Sequence, residues 1–146
     1  MMSIIRTTLI SLLILSAPAL GQQSEKFGAF ELHYSVVNTT FLSPEIAELY
    51  GITRGKQRAI LNLALRKPSE GTVGTGQAMQ LRGEVRDLLQ TQQELEFKEI
   101  REGDAIYYIA EFRFINEEWR FFDLNFRPDG TDKTYSFDFK WQLYVD

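Results

Sequence analysis

The chain has 146 residues, a length that suits one domain rather than two, and its hydrophobic content of 44% is enough to form a core. The formal net charge of -4 argues against nucleic acid as a partner, because phosphate binding needs a basic surface, and it provides no attraction to anionic lipid. The chain contains no cysteine, which excludes disulfides, thiolate metal sites and a lipoprotein anchor.

The first 21 residues have the pattern of a secretory signal peptide. Arg6 supplies the positive charge, and the apolar run over residues 9–20 is too short to cross a bilayer. Small residues end this segment, so we predict cleavage between Gly21 and Gln22. The remaining domain, residues 22–146, is then exported, has no stable membrane insertion after cleavage, and is periplasmic in a Gram-negative cell.

The first elements of the mature chain are a strand and a short helix. Residues 22–26 are polar and predicted to be a frayed start. Apolar and polar residues then alternate over residues 30–36, which is typical of a strand with one buried face. Residues 43–51 predict a helix with Ser43 as N-cap, a proline at the first helical position and Gly51 at the end. Its apolar residues Ile46, Leu49 and Tyr50 are expected to hold it to the body.

The middle of the chain predicts strands of uneven quality. Residues 57–66 alternate clearly and predict a strand, and residues 67–71 predict a turn. Residues 72–82 alternate weakly and contain two glycines, which indicates one strand with a bulge or an exposed edge. Residues 84–93 fit either one face of a helix or an irregular strand.

The last third of the chain predicts three strands. The strand from residue 105 has one apolar face and a second face that is apolar in its first half. In the final strand the apolar wall consists of Tyr135, Phe137, Phe139, Trp141, Leu143 and Val145. Such a wall must be buried, and its natural partner is a second sheet. We therefore predict an all-β, antiparallel, immunoglobulin-like sandwich with one short helix.

Three blocks of sequence resemble a known family. They are His33-Tyr34 with residues 38–42, the Tyr-Gly-Ile-Thr-Arg run at residues 50–54, and residues 97–110 with their Ala-Ile-Tyr-Tyr-Ile-Ala core. Together they resemble domain-of-unknown-function family 4426, small exported proteins of gammaproteobacteria. The resemblance covers the mature chain and implies an immunoglobulin-like sandwich and a periplasmic location. It implies no established activity, and therefore no catalytic residue.

Candidate chemistry in the sequence is sparse. His33 is the one histidine, so a catalytic triad or a zinc site would have to depend on it, and we interpret it as a surface or interface residue. The acidic cluster over residues 94–102 is typical of a solvated strand face, and the glycines of residues 71–76 lack the spacing of a phosphate loop. The Asp-containing turn at residues 129–132 lacks the spacing of a calcium loop. We assign no catalytic residue, metal ligand or cofactor.

The strongest candidate for a functional loop is basic. Arg54, Lys56 and Arg58 follow the helix closely and could bind a carboxylate or phosphate. With His33 they form the set of speculative binding residues. We interpret the protein as a non-enzymatic binding or accessory module of the cell envelope, whose partner is an envelope protein or a small ligand. The alternatives are a small periplasmic hydrolase that uses His33 or the glutamates, and a carrier that holds a small ligand between its sheets.

Overall fold

The computed structural model describes residues 23–69 and 72–146. The predicted signal peptide and its cleavage site at Gly21 and Gln22 lie outside these residues. The described chain forms ten strands, one α-helix and one 3-10 helix, Thr39–Phe41. The α-helix α1 is Pro44–Tyr50, and the strands are β1 (Gln23–Phe27), β2 (Phe30–Asn38), β3 (Arg58–Ser69), β4 (Thr72–Gly76), β5 (Met79–Arg86), β6 (Gln92–Glu94), β7 (Lys98–Glu102), β8 (Ala105–Arg113), β9 (Glu118–Pro128) and β10 (Tyr135–Leu143).

The strands form two antiparallel sheets packed face to face. The six-stranded sheet has the order β1-β2-β3-β8-β7, and β4 pairs with the end of β3. The four-stranded sheet has the order β10-β9-β5-β6. The predicted all-β antiparallel sandwich with one short helix is confirmed.

Aromatic and aliphatic side chains fill the space between the sheets, as the alternation in the sequence predicts. The inward residues of β3 and β9 are almost inaccessible, and Leu61, Leu63 and Phe122 are each 0% exposed. The row of rings on β10 packs against this core, and the rings of Phe122 and Phe139 stack with their centroids 4.8 Å apart. Offset ring pairs of this kind add to the stabilisation that burial alone provides.

The N-terminal segment differs from its prediction. Residues 23–27 do not form a frayed start but strand β1, which pairs with β2 through a two-residue turn between Phe27 and Phe30. Gly28 takes φ of +58° in this turn, a conformation that favours glycine. The ring of Phe27 packs on Phe126 at 5.0 Å, and this long-range contact secures a strand whose other residues are polar. A pattern of polar residues could not predict it.

The glycine-containing stretch is also different from its prediction. Strand β3 continues through the predicted turn to Ser69, with a register shift near Pro68. Residues 72–82 are two strands in different sheets, because the chain crosses between the sheets at residues 77–78. Gly76 lies before this crossing, where a Cβ atom would come within 2.6 Å of the Asp104 carbonyl oxygen. For residues 84–93 the irregular-strand alternative is correct, since β5, a turn and β6 occupy them.

Helix α1 packs on the outer face of the six-stranded sheet. The Ser43 hydroxyl accepts a hydrogen bond from the Ile46 N–H at 3.2 Å, and Gly51 closes the helix with φ of +68°, as the sequence predicts. The residues that hold the helix are only in part those predicted, because Tyr50 packs against the buried cluster beneath the helix. Ala47 is the buried helical residue at 3% exposure, whereas Leu49 is 71% exposed. A small side chain lets the helix lie close to the sheet.

Candidate ligand groove

A groove of about 460 Å³ lies between α1 and the outer face of the six-stranded sheet. Strands β2, β3, β8 and β7 form its floor, and α1 with its flanking residues forms one wall. Its size falls within the range of small-molecule sites. The lining residues are mostly apolar: Ser35, Val37, Leu42, Ile46, Tyr50, Ile52, Ile60, Asn62, Ile100, Glu102, Tyr107 and Ile109.

The floor of the groove results from the second apolar face of the central strands. Ile60 and Ile109 are buried there with Ala47 and Ile52, and they form a small cluster separate from the main core. Because β3 and β8 are the central strands of this sheet, their outer faces can also be covered. The sequence indicated burial on both faces for the first half of β8. On the second face Ile109 is buried, whereas Ala105 and Tyr107 are half-buried.

Polar contacts fix the wall of the groove at the end of α1. The Lys98 ammonium donates to the Gly51 carbonyl at 3.1 Å, which is a favourable position for a cation because helix C-termini carry partial negative charge. The Glu111 carboxylate accepts from the Thr53 N–H at 2.9 Å and lies 3.7 Å from the Arg58 guanidinium. These contacts tie the segment after the helix to β7 and β8.

Polar atoms are present at one part of the groove. Ser35 and Asn62 are direct neighbours across the β2–β3 pair, and Glu102 and Tyr107 lie on the neighbouring strands. The Asn62 Oδ1 atom is inaccessible to solvent and has no hydrogen-bond partner within residues 23–69 and 72–146. Leaving such an acceptor unpaired costs about 1–3 kcal/mol. Because Asn62 lines the groove, a rotation of its side-chain amide can bring this acceptor to a donor that a ligand supplies.

His33 lies two residues before Ser35 on β2 and therefore on the same outer face of the six-stranded sheet, but it does not line the groove. Its Nε2 atom is buried and lies 3.7 Å from the Glu31 carboxylate, which is too long for a hydrogen bond. Among the described residues, no group of three or more His, Cys, Asp or Glu side chains could hold a metal ion. His33 and Glu31 alone offer two ligands.

The predicted basic residues form no single site. The Arg54 guanidinium donates to the Thr40 carbonyl at 3.2 Å, and Arg58 donates to the Thr53 carbonyl at 3.2 Å. Both arginines therefore brace the loop, and Lys56 and Arg58 also line a second groove at the end of the sandwich. His33 pairs with Ala64, which is six residues along β3 from Arg58, about 20 Å at the usual strand rise, so His33 is not brought together with the basic residues.

Sequence reasoning missed two groups of polar residues. Asn62 lies between the apolar residues Ile60 and Ala64 on the outer face of β3, and this interruption is the signal that could have indicated it. The second group is in the other groove, where Arg120 is 9% exposed and its guanidinium lies 3.3 Å from the Glu118 carboxylate. Its guanidinium lies 5.9 Å from the ring centroid of Phe112, which is on a strand of the other sheet, so no local pattern indicates this contact.

The geometry defines a two-sheet antiparallel sandwich with a small-molecule-sized groove on its outer face. The chain belongs to the DUF4426 family, a domain of unknown function whose family model matches residues 24–146. No curated protein matches the chain at a significant level.

Solved structures share this fold. A crystal structure of a DUF4426 family protein from Pseudomonas aeruginosa PAO1 is 27% identical, with a TM-score of 0.75 over 88% of this chain and 98% of that chain. FetP from uropathogenic Escherichia coli strain F11, expressed recombinantly in the periplasm, is 11% identical with a TM-score of 0.59 over 86% and 95%. A copper-bound variant of FetP is 10% identical with a TM-score of 0.60 over 86% and 91%. At these identities the likeness to FetP shows only that the folds are similar.

Proposed function

We propose that this protein is an exported, non-enzymatic binding module that holds a small ligand in the groove beneath α1. The observation that carries the proposal is the inaccessible, unpaired Asn62 Oδ1 beside an apolar floor. An apolar pocket with a few convergent polar groups is the usual form of a small-molecule site. The ligand that fits has an apolar body and a hydrogen-bond donor, and Glu102 favours one that is neutral or cationic.

The alternatives from the sequence receive less support from the geometry. A carrier with its ligand between the sheets would need space there, and stacked rings such as Phe122 and Phe139 occupy that region. For a hydrolase, the glutamates would have to lie together in a cleft. Glu99 instead forms an exposed ion pair with Arg101 at 2.7 Å, and Glu102 is the one acidic residue that lines the groove beneath α1. Glu94 does lie opposite Glu84, but it is on the exposed edge strand β6 and away from Glu99 and Glu102.

Copper is bound by the FetP variant, and the donor set of this chain does not fit it. Copper sites in proteins use several imidazole, thiolate or thioether ligands. The described residues offer one histidine, with one carboxylate beside it at 3.7 Å, and one methionine, Met79, which is buried in the main core. We therefore derive no role for copper.

Export is part of the proposal and has its own test. In residues 23–69 and 72–146, no helix is long and apolar enough to span a membrane. The n-region, apolar run and small residues before Gln22 support cleavage after Gly21. We expect intact-mass measurement of the protein from a periplasmic fraction to give a chain that begins at Gln22. A full-length mass from the membrane fraction would refute this.

The groove can be tested with N-phenyl-1-naphthylamine, a neutral apolar probe with one N–H donor whose fluorescence rises on transfer from water. Binding is expected to be saturable, and Ile100→Trp should abolish it by filling the groove. The matched control is Ile115→Trp, at a loop residue that is 65% exposed and outside this groove. Equal loss in both variants, or no saturable binding, would contradict the proposal.

The polar contact requires a separate variant. Asn62→Leu keeps the approximate volume but removes the acceptor, so the affinity for the N–H probe should fall about tenfold, the equivalent of one buried hydrogen bond. The affinity for a probe of similar shape without a donor, such as 1-phenylnaphthalene, should be unchanged or higher. Equal losses for both probes would show that Asn62 acts through packing alone.

A further inference from the structure

Strand β10 is an exposed edge of the four-stranded sheet. In the described chain it pairs only with β9, through nine residue pairs in continuous register. The other edge strands are shorter, at five residues each for β1, β4 and β7 and three for β6. Native proteins usually protect a long edge with charged side chains, proline, a bulge or an inward-pointing charge, because a free edge can pair with another chain. β10 contains no proline, bulge or inward-pointing charge in Tyr135–Leu143, and its two exposed charges, Asp138 and Lys140, are of opposite sign.

The sequence of β10 is complementary to itself in the antiparallel direction. We propose that two copies of this protein pair along β10, with Phe139 on the twofold axis. In this register Asp138 lies opposite Lys140 of the second copy, and the same pair occurs again on the other side of the axis. Ser136 likewise faces the second Gln142. Opposite charges and polar groups that face each other stabilise a strand pair.

The aromatic residues match in the same register. A twofold axis perpendicular to the sheet keeps inner faces with inner faces, so Phe137 lies opposite Trp141 of the second copy. Both side chains are only partly buried in the single chain and pack against its core. Pairing therefore extends the buried aromatic layer and joins four strands from each copy into one continuous sheet. An isologous contact of this kind closes on itself and stops at a dimer.

Charges within one copy also favour the pairing. Asp138 lies directly opposite Asp123 in the β9–β10 ladder, and like charges at this position repel. The Arg86 guanidinium, 3.2 Å from Asp123, compensates part of this repulsion from the far side. Lys140 lies over the Trp119 ring at 4.9 Å and is exposed. A lysine from a second copy beside Asp138 supplies the missing positive charge.

The proposed dimer is independent of the ligand groove. The groove lies on the outer face of the six-stranded sheet, whereas β10 belongs to the other sheet. Failure of the dimer experiment leaves ligand binding untouched, and failure of the ligand experiment leaves the dimer untouched.

The first test measures the dissociation constant by sedimentation velocity over a range of concentrations. Asp138→Lys places two lysines opposite each other in each pair and should raise Kd about tenfold, while it removes the repulsion with Asp123 inside the monomer. Adding Lys140→Asp to this variant reverses both charges and should restore Kd. The matched control is Lys133→Asp, just outside the strand, which should leave Kd unchanged.

The second test reports the register directly, because the chain has no cysteine of its own. A mixture of Ser136→Cys and Gln142→Cys proteins should form a mixed disulfide under mild oxidation, since these positions face each other. Either variant alone should not, because its two copies are about 20 Å apart at the usual strand rise.

Several results would overturn the proposal. They are a monomer at all concentrations up to about 1 mM, a dimer that the charge reversals do not affect, and cross-linking of each cysteine variant with itself. Circular dichroism of each variant verifies that the fold is retained. Pairing of a strand from a different protein with β10, in the absence of a dimer, would equally refute self-association.

Discussion

The hydroxyl of Thr39 is predicted to be the most consequential polar group of the fold. Thr39 is 0% exposed, and its hydroxyl accepts from the Gly55 N–H at 2.9 Å and lies 3.1 Å from the carbonyl oxygens of Gly55 and Arg58. It therefore holds the basic loop against the end of β2. Thr39→Val keeps the shape of the side chain and removes these bonds.

The size of the expected stability loss follows from the backbone groups that lose a hydrogen-bond partner. One backbone donor and at least one carbonyl lose a partner, and each unpaired buried group costs about 1–3 kcal/mol. We expect Thr39→Val to lower the free energy of unfolding by about 2–4 kcal/mol. For a domain of this size that corresponds to a melting temperature lower by about 8–16 °C.

The assay is urea unfolding followed by the fluorescence of the two tryptophans. The midpoint should fall by about 1–2 M for an m-value near 2 kcal/mol/M, with m unchanged. The control is Thr40→Val, whose hydroxyl bonds the exposed Asp146 carboxylate and should contribute about 0.5 kcal/mol or less. A loss for Thr39→Val no larger than for Thr40→Val would refute the reasoning.

Three further predictions concern the stability of the fold. Ser43→Ala should cost about 1 kcal/mol in urea unfolding because the N-cap bond is lost, and Ser43→Gly only a few tenths; equal effects would contradict the cap. Burial raises the pKa of Tyr108 above 10.0, so wild-type stability should fall as the pH rises from about 10; a Tyr108→Phe variant that shows the same alkaline loss would exclude this residue as the cause. Phe122→Ala should cost about 3–5 kcal/mol because the residue is 0% exposed, whereas Phe121→Ala on the outer face should cost far less, and similar losses would argue against the assigned faces.

The alternation of residues predicted most of the fold correctly. On β2, β3, β8 and β10 the apolar residues of one face form the core, because side chains along a strand point to opposite sides. The helix was predicted with its cap and its closing glycine, since Ser43, Pro44 and Gly51 act through local backbone geometry. Signals of this kind depend on neighbours within a few residues, and a sequence contains them directly.

The candidate site was not predictable in the same way. None of the speculative residues His33, Arg54, Lys56 and Arg58 lines the groove beneath α1. Asn62 and Glu102 lie 40 residues apart in the sequence and come together because β3 and β7 both neighbour β8. The assignment of β1 and the change of sheet at residues 77–78 also depended on distant contacts.

The sequence by itself determined the strand faces, the short helix and the limits on metal chemistry that one histidine and no cysteine impose. The tertiary structure decided which strands are edges, where the second apolar face of β3 and β8 is covered, and which polar atoms remain unpaired. The physical reason is that faces follow from local periodicity, whereas edges, grooves and unpaired atoms depend on the order of the strands. That order is set by packing between residues far apart in the chain.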